Sequence, residues 1–431
     1  MRQLFGKSAG LFLILVLLLI SQLATTNVMA GKEKKDLRVD ETGVIDEVTY
    51  KIKVPKKWNK TLLMYAHGYS RSDPPCLVPI QIEMIYGSTL EEELLAQGYA
   101  LAASSYRNAG WAVQEGIEDT KKLTEFFAEH VKKPKHTILW GTSMGSAVTL
   151  KSIEDHADIY DGAIVLSHIG AGTTLTFDMT LAIALAYDVA LGWPESWGSV
   201  GDVSNDLDFE TDVAPVLMTK LQNQDNFGKF EFIRLVNCLP YEGFYNGEIP
   251  LNLWLFADMF FATEGRAELE ARAGGPVAQN LNHTYILSEY NKEYLAYLGV
   301  DANALLSSMN EQTVIEADPS ARSYLQKHAD FSGELERPVM TLQPKGDGLT
   351  VPANSTVYQE TVEASGASDF LFQTYTNGNM HSVFTPEQVC AAFEAMEYWL
   401  NKGTRPGSDS FPTDLDFDND YIPQAWPQPT G

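Results

Sequence analysis

The stretch from Thr137 to Leu150 constrains the fold of this 431-residue chain more than any other. It begins with a short apolar run of the β type, continues with Gly141-Thr142-Ser143-Met144-Gly145, and ends in small residues typical of a helix start. A sharp turn between strand and helix needs glycine on either side of Ser143, because larger side chains would collide with the neighbouring elements. The pattern predicts that Ser143 stands in a strained turn with its hydroxyl pointing out of a sheet.

A serine hydroxyl is a weak nucleophile at neutral pH. Its chemistry requires an imidazole that takes its proton and a carboxylate that orients the imidazole. If Ser143 is a nucleophile, other parts of the chain must bring a histidine and an acidic residue to the same edge of the sheet.

Runs typical of strands and helices alternate along the first part of the chain. Strand-like runs occupy 46–55, 61–66, 99–104, 137–141 and 162–167, and helix-like runs occupy 89–97, 111–131 and 147–155. Repeated strand and helix units predict an α/β fold with a mostly parallel central sheet flanked by helices. Ligands of such sheets bind at the carboxyl ends of the strands.

The alternation stops between residues 168 and 336. This interval is mainly helical in pattern, and its most apolar runs are 181–193 and 251–262. Neither run is long enough to predict a membrane span. We predict that the interval is a large, mainly helical cap inserted into the sheet domain.

The alternation resumes at residue 337, with strand-like runs at 338–342 and 369–376 and helix-like runs at 351–365 and 386–399. We therefore predict a core domain formed by 31–167 and 337–404, the cap over 168–336, and a solvated acidic tail over 405–431. The tail contains alternating aspartates but lacks the turn glycine and terminal glutamate of a calcium loop.

An aspartate and a histidine each follow one of these late strands. Asp347 lies in the loop after the first, and His381 lies in the loop after the second. The chain order is therefore Ser143, Asp347, His381, with all three expected at the carboxyl edge of the sheet.

With His67-Gly68 after an early strand and the Ser143 motif, this order resembles that of the α/β-hydrolase superfamily over about 48–169 and 337–402. The resemblance implies that Ser143 is the nucleophile, His381 the general base and then acid, and Asp347 the partner that orients His381. It also implies that the backbone amides of Tyr69 and Met144 bind the developing oxyanion.

Rival residues exist for some of these roles. His168 follows a strand at the same sheet edge, so it is a second candidate histidine and could line the substrate pocket. Trp111 follows a loop at the same edge and is a candidate pocket residue. Asp330 is an alternative acid, although no clear strand precedes it.

The aromatic and aliphatic residues of the cap favour an apolar or aromatic acyl substrate. We expect a secreted serine hydrolase that cleaves small-molecule or polymer carboxylic esters. One alternative is a secreted peptidase resembling prolyl aminopeptidases, in which cap carboxylates bind a free amine, with candidates Glu195, Asp206, Asp208, Glu210 and Asp212. Another alternative is a binding protein that has kept the hydrolase fold without catalysis.

The formal net charge of −26 disfavours nucleic acid and anionic membranes as partners. Arg2, Lys7, an apolar run and Ala30 predict a signal peptide over 1–30, and hence a secreted or periplasmic protein without stable membrane insertion. No sequence motif indicates a metal or nucleotide cofactor. The pairing of Cys76, Cys238 and Cys390 and the oligomeric state are left open by the sequence.

Overall fold

The computed structural model describes residues 37–71, 90–240 and 253–427. The predicted signal peptide and Cys76 lie outside these residues. Within them, Cys238 is an exposed free cysteine and Cys390 is a buried one, so these two do not pair with each other.

The centre of the molecule is a single eight-stranded sheet with the strand order β1-β2-β4-β3-β5-β6-β7-β8. β2 pairs antiparallel with both β1 and β4, and the remaining neighbours are parallel. The mostly parallel sheet predicted from the sequence is therefore confirmed. The strands are β1 (Leu37–Ile45), β2 (Val48–Pro55), β3 (Thr61–Ala66), β4 (Ala100–Ser104), β5 (His136–Ser143), β6 (Gly162–His168), β7 (Val339–Pro344) and β8 (Leu371–Thr376).

The edge strand β1 has no counterpart among the predicted elements. Its side chains alternate between half-buried and exposed, so it lacks the apolar run that marks a buried strand. It joins β2 through Asp46 and Glu47, whose φ values of 48° and 70° fit the left-handed turn of a two-residue hairpin.

Helices cover both faces of the sheet, which is why strands such as β3 are buried at every position. The core helices are α1 (Leu90–Ala96), α2 (Val113–Phe127), α3 (Met144–Asp155), α12 (Ala353–Ser365) and α13 (Pro386–Lys402). On one face, α1 and α13 contribute to a cluster that contains Leu63 and Trp140. On the other face, α2, α3 and α12 contribute to a cluster that contains Leu62 and Leu139.

Between β6 and β7 the described residues form helices and no strand of the sheet. The helices are α4 (Gly172–Leu191), α5 (Ala214–Gln222), α6 (Phe227–Val236), α7 (Leu253–Ala262), α8 (Glu264–Ala273), α9 (Glu289–Tyr297), α10 (Ala302–Asn310) and α11 (Pro319–Ala329). Within the described part of the chain, α4 alone is long and apolar enough to cross a membrane, and 67% of its most apolar window is buried inside the protein. It packs against α6, α7, α10 and α11, so it forms the central helix of this layer.

The segment 405–427 contradicts the expectation of a solvated tail. Phe411 and Phe417 are buried in the cluster beneath α13. Trp426 is buried with residues of the helical layer. Aromatic side chains at widely spaced positions hold this acidic segment against the core, because their burial outweighs the cost of ordering a short chain segment.

Candidate active site

Ser143 is the last residue of β5 and immediately precedes α3. Its φ of 56° and ψ of −131° lie outside the regions that non-glycine residues usually adopt. A β-carbon at Gly141 would collide with the carbonyl of Gly145, and one at Gly145 would collide with the carbonyl of Ala66. The two glycines therefore allow a turn that strains Ser143 and exposes its side chain at the carboxyl edge of the sheet.

Asp347 follows β7 and is completely buried. Its Oδ1 accepts hydrogen bonds from the amides of Leu349 and Thr350 at 3.1 and 2.9 Å, and its Oδ2 accepts one from the Thr350 hydroxyl at 2.8 Å. Burial opposes ionisation of this carboxyl, but the charge of His381 and these donors outweigh it and lower the Asp347 pKa below its usual value. Asp347 is therefore an ionised acceptor held in a fixed orientation.

His381 follows β8, and its Nδ1 lies 2.9 Å from Oδ2 and 3.1 Å from Oδ1 of Asp347. An ionised carboxylate can only accept, so Nδ1 carries the hydrogen of this bond. In the neutral ring, Nε2 is then the acceptor. The His381 side chain is 23% exposed, whereas the Asp347 carboxyl that holds its orientation is fully buried.

The loops that carry Ser143 and His381 are hydrogen-bonded through their neighbours in sequence. The hydroxyls of Thr142 and Ser382 lie 2.8 Å apart, and the Ser382 amide donates to the Ser167 hydroxyl at 2.9 Å. Among the hydrogen bonds of the described residues, none joins the Ser143 hydroxyl to His381. The structure thus joins His381 to Asp347 directly, and its neighbour Ser382 to Thr142 of the Ser143 strand. A hydrogen bond between a catalytic serine and its histidine often forms only when substrate binds.

The loop after β3 passes close to Ser143. A β-carbon at Gly68 would lie 3.4 Å from the Ser143 β-carbon and 3.9 Å from its hydroxyl oxygen. The Tyr69 amide, next in the chain, makes no hydrogen bond to another described residue. Met144 is the first residue of α3, where amides have no carbonyl partner within the helix. Both amides can therefore donate to a ligand oxygen beside Ser143.

His67 supports this loop from beneath. Its ring stacks on Tyr106 with centroids 3.8 Å apart, and its nitrogens lie 2.7 Å from the Gly68 carbonyl and 3.3 Å from the Ser105 carbonyl. Burial lowers the pKa of His67 to about 4, so the ring is neutral at physiological pH. A neutral ring carries one N–H, so it donates to one of these two carbonyls. This bond and the stacking on Tyr106 hold the backbone that leads into Gly68 and Tyr69.

A narrow cavity of about 30 Å³ opens onto Ser143 between the sheet edge and the helical layer. Trp111 lines it, as do Phe177, Phe261 and Trp426. The wall is therefore largely aromatic and aliphatic, as in sites that bind apolar ligands.

The pocket role expected for His168 is wrong. Its side chain is completely buried, its Nε2 lies 2.9 Å from the Ser355 hydroxyl, and it is absent from the cavity wall of the described residues. Burial lowers the pKa of His168 to about 3. His168 does end a strand at the predicted edge of the sheet, but its ring lies in the core beside α12.

The other rival acids also lie elsewhere. Asp330 accepts hydrogen bonds from the amide and hydroxyl of Thr174, at 3.0 and 2.6 Å, and so fixes the first turn of α4 instead of contacting His381. The cap carboxylates considered as amine ligands are all exposed, and none lines the cavity: Glu195, Asp206, Asp208, Glu210 and Asp212.

The residues of the site that were not predicted from the sequence include Thr350, Asp258 and Trp426. Asp258 is the single acidic residue in the apolar helix α7, and a lone acid in such a run was a usable signal. Trp426 gave no signal, because nothing local indicates that this distant segment returns to the cavity. Within the described part of the chain, no group of three or more His, Cys, Asp or Glu could hold a metal ion.

No family model matches the sequence, and no curated protein matches it. An esterase from Aspergillus oryzae is similar at 14% identity over 83% of this chain and 78% of that chain, with a TM-score of 0.38. A Pyrococcus furiosus esterase is similar at 13% identity over 88% and 94% of the two chains, with a TM-score of 0.38. Feruloyl esterase B from Aspergillus oryzae is similar at 14% identity over 84% and 80%, with a TM-score of 0.37.

Because these TM-scores are low, the fold is assigned from the sheet itself. The strand order, the antiparallel β2, the strained turn between β5 and α3, and loops after β7 and β8 that carry an aspartate and a histidine define an α/β-hydrolase fold. The fold class predicted from the sequence is confirmed.

Proposed function

We propose that this protein is a secreted serine hydrolase that cleaves carboxylic esters through an acyl-enzyme intermediate. The observation that carries the proposal is the convergence of three loops at one sheet edge. Ser143 stands there in a strained turn beside the backbone amides of Tyr69 and Met144. His381 is hydrogen-bonded to Asp347, and its neighbour Ser382 is hydrogen-bonded to Thr142 of the Ser143 strand.

In the first half of the reaction, the Ser143 oxygen attacks the ester carbonyl carbon as His381 Nε2 takes its proton. The carbonyl π electrons move to oxygen, which the Tyr69 and Met144 amides stabilise. The tetrahedral intermediate then collapses, the bond to the alcohol breaks, and the leaving alkoxide takes the proton from His381. An acyl-Ser143 ester and a free alcohol result.

In the second half, His381 removes a proton from water, whose oxygen attacks the acyl carbon. Collapse returns the proton to Ser143 and releases the carboxylic acid. Asp347 stays ionised throughout, holds the hydrogen on Nδ1, and stabilises the imidazolium that forms twice in each cycle.

The cavity wall supports esters with apolar or aromatic groups, because it offers a large aromatic surface and few free polar atoms. The substrate is a small molecule or the end of a polymer that reaches Ser143 under the cap. The leader over 1–30 supports export from the cytoplasm.

The test is fluorophosphonate labelling of the folded protein, combined with hydrolysis of p-nitrophenyl esters and aminoacyl anilides. We expect labelling at Ser143 and hydrolysis of the esters, with both lost in Ser143→Ala. As a matched control, Ser152→Ala removes a buried hydroxyl from the same helix α3, one without a hydrogen-bond partner among the described residues, and should keep the label. Labelling without ester hydrolysis, but with anilide cleavage, would favour a peptidase.

A further inference from the structure

The cavity beside Ser143 contains hydroxyl, amide and carboxyl side chains, and most of them are already hydrogen-bonded within the protein. Thr176 and Thr180 donate to carbonyls of their own helix α4, those of Gly172 and Phe177, at 2.8 and 2.9 Å. Their hydroxyl hydrogens are therefore not free to recognise a ligand.

Two more polar residues of the wall are committed in the same way. The Thr350 hydroxyl donates to Asp347. The Asn354 side chain donates to the Val351 carbonyl and accepts from the Ala171 amide, both at 3.0 Å. These residues hold the loops of the site together, so they do not explain how the cavity recognises a polar substrate group.

Asp258 is different. It lines the cavity from α7, its side chain is only 2% exposed, and its Oδ2 is buried without a hydrogen-bond partner among the described residues. Buried polar atoms in folded proteins are nearly always paired, and each exception calls for an explanation. Among the polar side chains of the described wall, Asp258 alone has a buried oxygen without a hydrogen-bond partner.

The surroundings of Asp258 decide which kind of partner fits. Burial raises the pKa of Asp258 well above its ordinary value, and the negative charge of Asp347 adds to this effect. A neutral carboxylic acid has one O–H donor and one carbonyl acceptor. A hydroxyl group also donates and accepts, so the two form complementary hydrogen bonds without any buried charge.

An ammonium group fits less well. It would lose its hydration among Trp111, Phe177 and Phe261, and it would require Asp258 to ionise near the buried charge of Asp347. The aromatic walls instead suit an apolar body that carries a single neutral polar group.

We propose that Asp258 is a specificity-determining residue that hydrogen-bonds a hydroxyl group on the substrate, and that the preferred substrates are esters whose aromatic portion carries such a hydroxyl. This inference rests on the proposed ester hydrolysis at Ser143. The reacting ester contacts Ser143 at one side of the cavity, and the hydroxyl reaches Asp258 in the cap.

The proposal has a measurable consequence. An analogue without the hydroxyl leaves Asp258 unpaired in the complex, and sites built around such a hydrogen bond discriminate strongly against the analogue. We expect kcat/KM to be at least about tenfold higher for the best hydroxylated ester than for its parent.

The experiment compares methyl 3-phenylpropanoate with its 2-, 3- and 4-hydroxyphenyl analogues, and 2-phenylethyl acetate with its hydroxyphenyl analogues. A 4-(aminomethyl)phenyl analogue tests the ammonium alternative. The wild type should prefer a hydroxylated member of one series. Asp258→Leu should abolish the preference by lowering activity on the hydroxylated ester more than on its parent, and Asp258→Asn, which keeps a donor and an acceptor, should retain much of it.

Asp225→Leu is the matched control, because it removes an exposed carboxyl from the same cap and should leave the preference unchanged. A wild type that hydrolyses parent and hydroxylated esters equally well overturns the role of Asp258 but leaves ester hydrolysis intact. Preference for the aminomethyl analogue also overturns it. If no ester is cleaved and Ser143 is not labelled, the proposed function fails and the inference fails with it. Because the wild-type comparison needs no variant, misfolding of Asp258→Leu does not prevent a decision.

Discussion

The Thr350 hydroxyl lies between the carboxylate and the imidazole of the site: it donates to Asp347 Oδ2 at 2.8 Å, and its oxygen is 3.2 Å from His381 Nδ1. The Thr350 amide also donates to Asp347 Oδ1, at 2.9 Å. One residue therefore sets the position of the carboxylate relative to the imidazole. Hydrogen bonds to ionised groups are stronger than neutral ones, so the Thr350 side chain should influence catalysis.

We predict that Thr350→Val lowers kcat for ester hydrolysis by about tenfold, a change of about 1.4 kcal/mol, because a hydrogen bond to the charged carboxylate is lost. Thr350→Ser keeps the hydroxyl and should stay within about twofold of the wild type. Steady-state kinetics on one ester measures both. Equal activities of the Val and Ser variants would show that the hydroxyl has no role.

The tight turn around Ser143 gives a second prediction. A β-carbon at Gly145 would collide with the carbonyls of Ala66 and His67, which are backbone atoms that cannot rotate away. Alanine normally stabilises a helix relative to glycine by about 0.5 to 1 kcal/mol. Here we expect Gly145→Ala to lower the free energy of unfolding by about 1 to 3 kcal/mol, because overpacking dominates.

Urea unfolding measures this change, with Gly407→Ala as the control. Nothing lies within 4 Å of a β-carbon built at Gly407, so that substitution should be close to neutral. A Gly145→Ala variant more stable than the wild type would contradict the close contact between α3 and the loop after β3.

Most of the sheet and the loops at its carboxyl edge could be predicted from sequence, because buried parallel strands are continuous apolar runs. Thr61 to Ala66 is such a run, and the structure has β3 over the same residues. The edge strand β1 could not be predicted, because its half-exposed side chains do not differ from those of a loop. A hydrophobic pattern identifies elements that are buried, and β1 has no buried residue.

Within the site, the loops that carry Asp347 and His381 were predictable because each follows a buried strand. The direction of a side chain was not predictable in the same way. His168 ends a strand at the same edge as Ser143, yet its ring lies in the core against Ser355. The return of Trp426 to the cavity depends on contacts across the whole chain, which local sequence does not encode.

Trp426 leads to a third prediction. Its side chain is 6% exposed and lines the cavity, although it lies near the end of the described residues. Truncating a buried tryptophan removes its apolar contacts and leaves a void. We expect Trp426→Ala to lower the free energy of unfolding by about 3 kcal/mol.

Ile422→Ala is the matched control, because Ile422 lies in the same segment and is 85% exposed. It should change stability by less than about 0.5 kcal/mol. Chemical denaturation of the two variants separates a docked segment from a solvated one. If both substitutions are equally harmless, residues 422–427 do not pack on the cap in solution.

The last prediction concerns pH and Asp258. Its folded-state pKa is raised, chiefly by burial, so the folded protein holds this proton more tightly than the unfolded chain does. The contribution of Asp258 to the free energy of unfolding is therefore fully present below the ordinary aspartate pKa of about 3.9 and is lost as pH rises from there through the raised value. Asp258→Asn has no such proton, so its stability relative to the wild type should increase between pH 4 and pH 8.

Thermal unfolding at several pH values measures this difference. Asp178 and Asp330 also have raised pKa values from burial, but they are present in both proteins and their effects cancel in the comparison. The exposed Asp225, replaced by Asn, is the control and should give a difference that does not grow with pH. A constant offset between Asp258→Asn and the wild type over the whole range would mean that Asp258 is ionised as readily in the folded protein as in the unfolded chain. Asp258 would then not be the neutral acid that donates to a substrate hydroxyl.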